Sequence, residues 1–226
     1  MEIITELFTL EHTVASEIFK GCTYPHEALT KINDFILNLG KSLPKDLFYT
    51  PKEGVWIAKS AKVASTASIS APCIIDENAE IRHCAFIREN AIVGKNAIVG
   101  NSTELKNVIL FDGVQVPHYN YVGDSIIGYK SHLGAGAITS NVKMDKSLVF
   151  VSYGKERICS GYKKLGAILG DFVEVGCGAV LNPGTVVGKN TSIYPLTSVR
   201  GYIKENSIYK SAEETLQKLP CEKEKV

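Results

Sequence analysis

Residues 57 to 105 read IAKSAKVASTASISAPCIIDENAEIRHCAFIRENAIVGKNAIVGNSTEL, and an aliphatic side chain recurs at every sixth position: Ile57, Val63, Ile69, Ile75, Ile81, Ile87, Val93, Val99 and Leu105. A small residue stands four places after each of the first eight: Ala61, Ala67, Cys73, Ala79, Ala85, Ala91, Ala97 and Thr103. Six residues turn a helix through about 1.7 revolutions, which would scatter the aliphatics around its axis. In extended chain six is an even step, so all of them face one side. The same step returns at Leu169, Val175, Leu181, Val187, Ile193 and Val199, and Ile127, Leu133 and Thr139 keep it between the two runs. A hexapeptide period is the signature of a β-helix. Three short strands per coil would put the aliphatics inside and the small residues at the corners.

Working outward, residues 1–50 carry helical spacing. One candidate helix covers about 11 to 20. A second starts near Pro25, with Ala28, Leu29, Ile32, Phe35, Ile36 and Leu39 three and four apart and Gly40 as its stop. Residues 51–205 make the β-helix, and residues 206–226 a short C-terminal helix and tail. Ser211 and Glu214 stand in capping-box spacing, and CEKEKV reads as a solvated end. Stacked coils end in open strand edges, which the N-terminal helical arm and the C-terminal helix are expected to cap.

The 226 residues are 45% hydrophobic and 22% charged, with a net charge of +1. No basic excess points to nucleic acid. The acidic start is unlike a signal peptide, and no apolar run is long enough for a membrane span. Six cysteines without a CxxC pair argue against a zinc ribbon and for a reduced, cytoplasmic protein.

The repeat is interrupted once near 106–126 and again at about 140–168, a stretch rich in Lys and Arg that is either solvated or meets an anionic ligand. Arg88 and Lys106 are 18 residues apart, one coil, and should stack at one corner. Two stacked cations repel, so either both splay into solvent or they clamp a phosphate between them. His118 lies in PHYNYVGD, beside Tyr121 and Asp124, on what reads as a loop leaving a rigid prism. A histidine there suits general-base removal of a proton from an attacking amine or hydroxyl.

The run ELK (Glu104 to Lys106), eleven residues, HYNYVGD (His118 to Asp124) and LGAGAITSN (Leu133 to Asn141) closely resembles the acetyltransferase half of bifunctional N-acetylglucosamine-1-phosphate uridyltransferases. Residues 154–188 look more like the archaeal sugar-1-phosphate nucleotidylyltransferase/acetyltransferases, and the resemblance spans about residues 55–205. It implies a left-handed parallel β-helix, a hand that breaks the right-handed crossover rule, and a homotrimer. The activity it implies is transfer of acetyl from acetyl-CoA to the amine of glucosamine 1-phosphate or a close relative, in nucleotide-sugar metabolism. By matching motifs, His118 is the general base. Arg88, Lys106 and Tyr121 hold the sugar phosphate, Asn141 contacts the acetyl group or the acceptor, and Ala135, Cys177 and Pro195 take CoA, with no metal. This chain departs from the family at His132, where Asn is usual, at Ser147, where a Lys is expected and Lys146 stands next to it, and at Cys177, where Ser is usual. His132 and Lys146 thus become candidate acceptor contacts. Residues 1–50 are too short for a nucleotidyltransferase half, so the acetyltransferase is expected without it.

Three other readings stay open: an acyltransferase for a different amino sugar, a γ-type carbonic anhydrase using His83, His118 and His132, and a non-catalytic trimeric scaffold partnering a separate nucleotidyltransferase.

Overall fold

The computed structural model describes residues 2–218, so CEKEKV falls outside the described residues. Three ladders of parallel strands form the faces of a β-helix. Face one stacks Val55–Ala58, Cys73–Ile75, Ala91–Val93 and, beyond them, Ala167–Leu169, Thr185–Val187 and Tyr202–Ile203. Face two runs from Lys62–Val63 through Gln115–His118 and His132–Leu133 to Ser207–Tyr209. Face three includes Ser68–Ile69, Phe86–Ile87, Ile138–Thr139 and Ser198–Val199. The sixth-position aliphatics Ile75, Ile81, Ile87, Val93, Val99 and Leu105 are all fully or almost fully buried. Many corners hold one left-handed residue, often Asn, followed by a buried small one: Asn78–Ala79, Asn90–Ala91 and Asn96–Ala97, with φ of 57°, 62° and 56° at the three Asn. Asn tolerates this conformation better than most residues, and the small residue after it turns into the narrow interior.

The expected excursion at 106–126 does not exist. Glu104–Leu110 and Tyr121–Ile127 are continuous strands that bend from face three into face one, paired in register from Glu104↔Tyr121 to Leu110↔Ile127. The repeat breaks because these coils are one residue shorter: the core step from Leu105 to Leu110, and again from Val122 to Ile127, is five residues. The corner inside each strand is a single left-handed residue, Asn107 (φ 50°) or Asp124 (φ 47°). The second excursion is real. It projects as an antiparallel hairpin, Phe150–Tyr153 with Glu156–Cys159, and is closed at its base by a bridge between Val142 and Lys164.

The N-terminal segment is less helical than its spacing predicts. Residues 11–20 give only the 3-10 turns Leu10–His12 and Ser16–Phe19. The second candidate splits into a 3-10 turn, Pro25–Thr30, and an α-helix, Ile32–Ser42. Gly40 does not stop that helix. It lies inside it because Trp56 packs against its bare backbone: a Cβ there would sit 2.4 Å from the indole ring. The arm lies along the outside of face one rather than over an open coil end. Strand alternation points Ile74, Ile92, Ile109, Ile126, Ile168 and Val186 outward from the prism, yet all six are at most 1% exposed, because the arm covers them.

The ends are closed by antiparallel strands instead: Phe48–Lys52 on Val55–Ala58 at the first coil, and Thr215–Gln217 on Ser207–Tyr209 at the last. The expected C-terminal helix is therefore a β-hairpin. Ser211 Oγ accepts the Glu213 and Glu214 N–H groups at 3.2 and 3.1 Å, as a capping box would, but the turn it closes returns the chain to the sheet, where the open edge has strand hydrogen bonds to offer. No helix among the described residues is long and apolar enough to cross a membrane.

His26 of the arm is 3% exposed, and its Nδ1 lies 2.9 Å from the Tyr153 hydroxyl of the inserted hairpin. Tyr24 donates to Glu156 Oε1 at 2.9 Å, and the rings of Tyr24 and Tyr162 also face the imidazole. Burial pushes the His26 imidazole below its ordinary value of 6.5, against an opposing pull from Glu27. The folded state thus binds fewer protons here than the unfolded chain does, so stability is full above pH 6.5 and falls as acidification charges the unfolded imidazole first. Thermal unfolding is expected to show a drop in Tm between pH 7.5 and 5.5 that is smaller in His26→Gln. An identical drop in both would place the acid sensitivity elsewhere.

Candidate functional site

Two neighbouring edges of the prism carry the candidate residues. The first lies between faces two and three. Register pairs His118 with Asn101 one coil before, and Gln115↔His132 continues it to His118↔Ala135. His132↔Glu174 and Glu174↔Ser192 carry it on to Cys177 and Pro195. The family-derived set of one histidine and three CoA contacts, 77 residues apart in sequence from first to last, is thus one ladder. Hydrogen bonds trace the same line: Gly136 N–H to His118 O at 3.0 Å, Gly178 N–H to Ala135 O at 2.9 Å and Leu196 N–H to Cys177 O at 2.9 Å. The Ala135 N–H has no acceptor among the described residues, and neither does the His118 ring. His118, Ala135 and Cys177 are all exposed.

His118 ends a strand rather than riding a mobile loop. The turn after it is pinned by Asn120, which is 2% exposed. Its Oδ1 accepts the His118 N–H at 3.1 Å, and its Nδ2 donates to the carbonyls of Gly134 and Ala137 at 2.9 Å each.

The second edge lies between faces three and one. Arg88 and Lys106 stack there as expected, Arg88 N–H donating to Leu105 O at 2.8 Å. They are not a bare cation pair. Arg88 Nη1 lies 3.0 Å from Glu104 Oε1 and its Nη2 lies 3.7 Å from Glu89, while Lys106 Nζ lies 3.3 Å from Asp124 Oδ1. The repulsion that seemed to call for an external anion is relieved by the chain's own carboxylates. Asp124, nearly buried, also accepts from Asn107 Nδ2 at 3.0 Å and Asn141 Nδ2 at 2.5 Å. Asn141 Nδ2 reaches the Tyr121 hydroxyl at 3.1 Å as well. Tyr121 folds over Gly123, where a Cβ would stand 2.5 Å from its hydroxyl oxygen. Burial, then the Asp124 charge, raises the Tyr121 phenol, which therefore stays a proton donor.

Asp124 was the residue that sequence reasoning undervalued. It stands 18 residues after Lys106, the same one-coil spacing that paired Lys106 with Arg88. Asp124→Asn keeps the left-handed backbone but turns an NH₂ group towards one of three donors. It is expected to cost about 1–3 kcal/mol in urea unfolding, and a cost under a few tenths would show that these bonds are dispensable.

Two expected contacts fall elsewhere. His132 starts the strand segment that ends at Ala135, about 10 Å along the strand from that edge, and its Nδ1 is 3.0 Å from Glu174 Oε2. Lys146 lies in the exposed turn of the insertion, beside the Lys143–Ser147 contact, with no ion pair among the described residues. His83 lies two coils before His118, hydrogen-bonded to Thr66 and near Cys84 Sγ. No three His, Cys, Asp or Glu side chains among the described residues converge as metal ligands would.

Residues 69–191 match the family described as the GMPPB C-terminal domain. Among curated proteins, a bifunctional sugar-1-phosphate nucleotidylyltransferase/acetyltransferase of Sulfurisphaera tokodaii is 38% identical over 94 residues, 42% of this chain and 23% of that protein. The bifunctional protein GlmU of Methanocaldococcus jannaschii is 38% identical over 120 residues, 53% of this chain and 29% of that protein. The chain thus spans under a third of the length of these relatives. Among solved structures, an N-acyltransferase from Bacillus cereus, AntD in complex with dTDP and coenzyme A, aligns over 76% of this chain and 90% of its own at 14% identity, with a TM-score of 0.33.

Proposed function

The chain belongs to the GMPPB C-terminal domain family, and from that membership and the two edges described above we propose that it is an acetyl-CoA-dependent N-acetyltransferase for an amino-sugar phosphate, glucosamine 1-phosphate or a close relative. The observation that carries this reading is the single ladder of His118, Ala135, Cys177 and Pro195 beside the corner of Lys106, Tyr121 and Asn141. His118 and Tyr121 are three residues apart, at most about 10 Å, so a thioester on one edge and an acceptor at the other can meet across one short face.

In this proposal CoA lies along the His118 edge in a homotrimer, where a neighbouring protomer would wall the groove. The sugar amine attacks the thioester carbonyl as His118 takes its proton. The unpaired Ala135 N–H is placed to receive the developing oxyanion. The Asn141 amide and Tyr121 phenol orient the acceptor, with Lys106 and Arg88 at its phosphate end. CoA thiolate then leaves with the proton that His118 returns. Cys177 offers backbone rather than a nucleophile, since direct transfer needs none.

The test is release of CoA thiol over a panel of amino sugars and their 1-phosphates. Release with an amino-sugar phosphate and loss of it in His118→Ala support the reading. No release with any acceptor would favour a structural role for the β-helix.

A further inference from the structure

The second edge carries too little positive charge for the phosphate it is asked to hold. Its two cations, Arg88 and Lys106, face three carboxylates: Glu89, Glu104 and Asp124. A phosphate dianion placed on that corner alone would meet a net negative charge. The compensating charge lies next to it. A groove of about 640 Å³ opens from Lys106 and Asn107 and runs between the N-terminal arm and the strand that returns from the inserted hairpin. The returning strand contributes Lys163 and Lys164, both exposed and neither in an ion pair among the described residues. The arm contributes Asn33, whose Nδ2 donates to Asn90 Oδ1 at 3.0 Å and ties that wall to the prism. Glu89 is the one acidic side chain in the lining, and Arg88 already faces it.

We propose that this groove is an anion subsite in which Lys163 and Lys164 hold a phosphate group of the acceptor. The sugar amine then points back past Tyr121 towards the His118 edge. With Lys163 and Lys164 added, the local balance turns from two cations against three carboxylates to four against three. All of the gain lies on the groove side, so the anion is drawn off the compensated corner. The volume exceeds what a monosaccharide phosphate needs, and it accommodates either a phosphate monoester or a diphosphate bearing a further group. The inserted segment and the arm thereby gain a common role: they are the two walls of the subsite, and the bare β-helix has neither. This rests on the acetyltransferase reading for the identity of the acceptor, but not for the binding of an anion.

The experiment uses the full chain and the double variant Lys163→Ala/Lys164→Ala, with Asn33→Asp as an independent change on the opposite wall. Orthophosphate and pyrophosphate are titrated by calorimetry, and KM is measured for an amino-sugar 1-phosphate, its nucleoside-diphosphate-linked counterpart and the unphosphorylated sugar. Both variants are expected to weaken pyrophosphate binding at least tenfold. They should also raise KM for the phosphorylated acceptor at least tenfold, while KM for acetyl-CoA and for the unphosphorylated sugar stays as in the wild type. The acceptor whose KM moves more identifies the monoester or the diphosphate as the occupant. Unchanged pyrophosphate affinity in the double variant, or none in the wild type, overturns the subsite. If no acceptor supports CoA release, the acetyltransferase reading fails and the titration still decides the subsite. If release occurs and KM is indifferent to both variants, the subsite alone fails.

Discussion

Replacing His118 by alanine is expected to lower kcat/KM for acetyl transfer by about 10²–10⁴-fold, the range a positioned general base contributes, while leaving affinity for the CoA thioester near that of the wild type. The attacking amine must lose a proton as it bonds to carbon, and no other imidazole stands on the His118 edge within a coil of it: the residues stacked on either side are Asn101 and Ala135. The backbone role of the position survives the substitution. Asn120 still accepts the N–H at position 118 and holds the Gly134 and Ala137 carbonyls, and Gly136 still donates to the carbonyl at 118. Folding should therefore be untouched, which an unchanged Tm would verify. Recovery of rate on adding imidazole would place the lost function in proton transfer. A variant that releases CoA as fast as the wild type would remove His118 from the chemistry.

The parts of this molecule that follow from periodicity were open to a reader of the sequence, because a six-residue period states which side chains face inward in every coil. The same arithmetic could have gone further. Asp124 follows Lys106 by one coil and Glu104 follows Arg88 by two residues less, so the carboxylates that neutralise the corner were already marked by spacing. Counting cations without counting the acids stacked on the same edge made the corner look like a free anion clamp. The apparent loop at 106–126 was a five-residue side, which shifts the phase of the repeat without adding chain. A shift of phase and an insertion look alike until the core positions Leu110, Val116, Val122 and Ile127 are followed through.

The arm had its own signal in CII, AIV, VIL, SII, AIL and TVV, where face one carries an aliphatic at the outward position as well as the inward one. A prism face that is apolar on both sides must be covered. The helical spacing of residues 25–40 was legible, but the 3-10 turns were not. They arise because the arm has to follow the ridged surface of stacked strands, and an uninterrupted α-helix would lift away from it.

The same arm sets the largest expected stability effect, at Asp171. Its side chain is fully buried at a corner of the prism, and three donors from three parts of the chain converge on it. Thr9 N–H reaches Oδ2 at 2.8 Å, Tyr129 N–H reaches Oδ1 at 2.9 Å, and Lys189 Nζ lies 3.2 Å from Oδ2. Lys189 also reaches Thr9 Oγ1 at 3.3 Å, and the Asp171 N–H donates to Leu7 O at 3.0 Å. Asp171→Ala would leave two buried N–H groups and a largely covered ammonium without their acceptor. Removing one partner of a buried pair costs about 3–5 kcal/mol, well above the worth of the intact pair. In a chain of this length that corresponds to a fall in Tm of roughly 10 °C. The loss should appear first in the arm: amide exchange at Thr9 and along Leu10–His12 is expected to accelerate before that of the inward aliphatics such as Ile75 and Val93. Asp171→Asn, which keeps acceptor capacity for one amide, should fall between. A cost below about 1 kcal/mol for Asp171→Ala would mean that the apolar stripe of face one holds the arm without help. Because residues 29–33 of that arm wall the groove at Lys106, a variant that stays folded but loosens the whole arm should also bind pyrophosphate more weakly. If the loosening stops at Thr9, pyrophosphate affinity should stay unchanged, which separates the anchor of the arm from its wall.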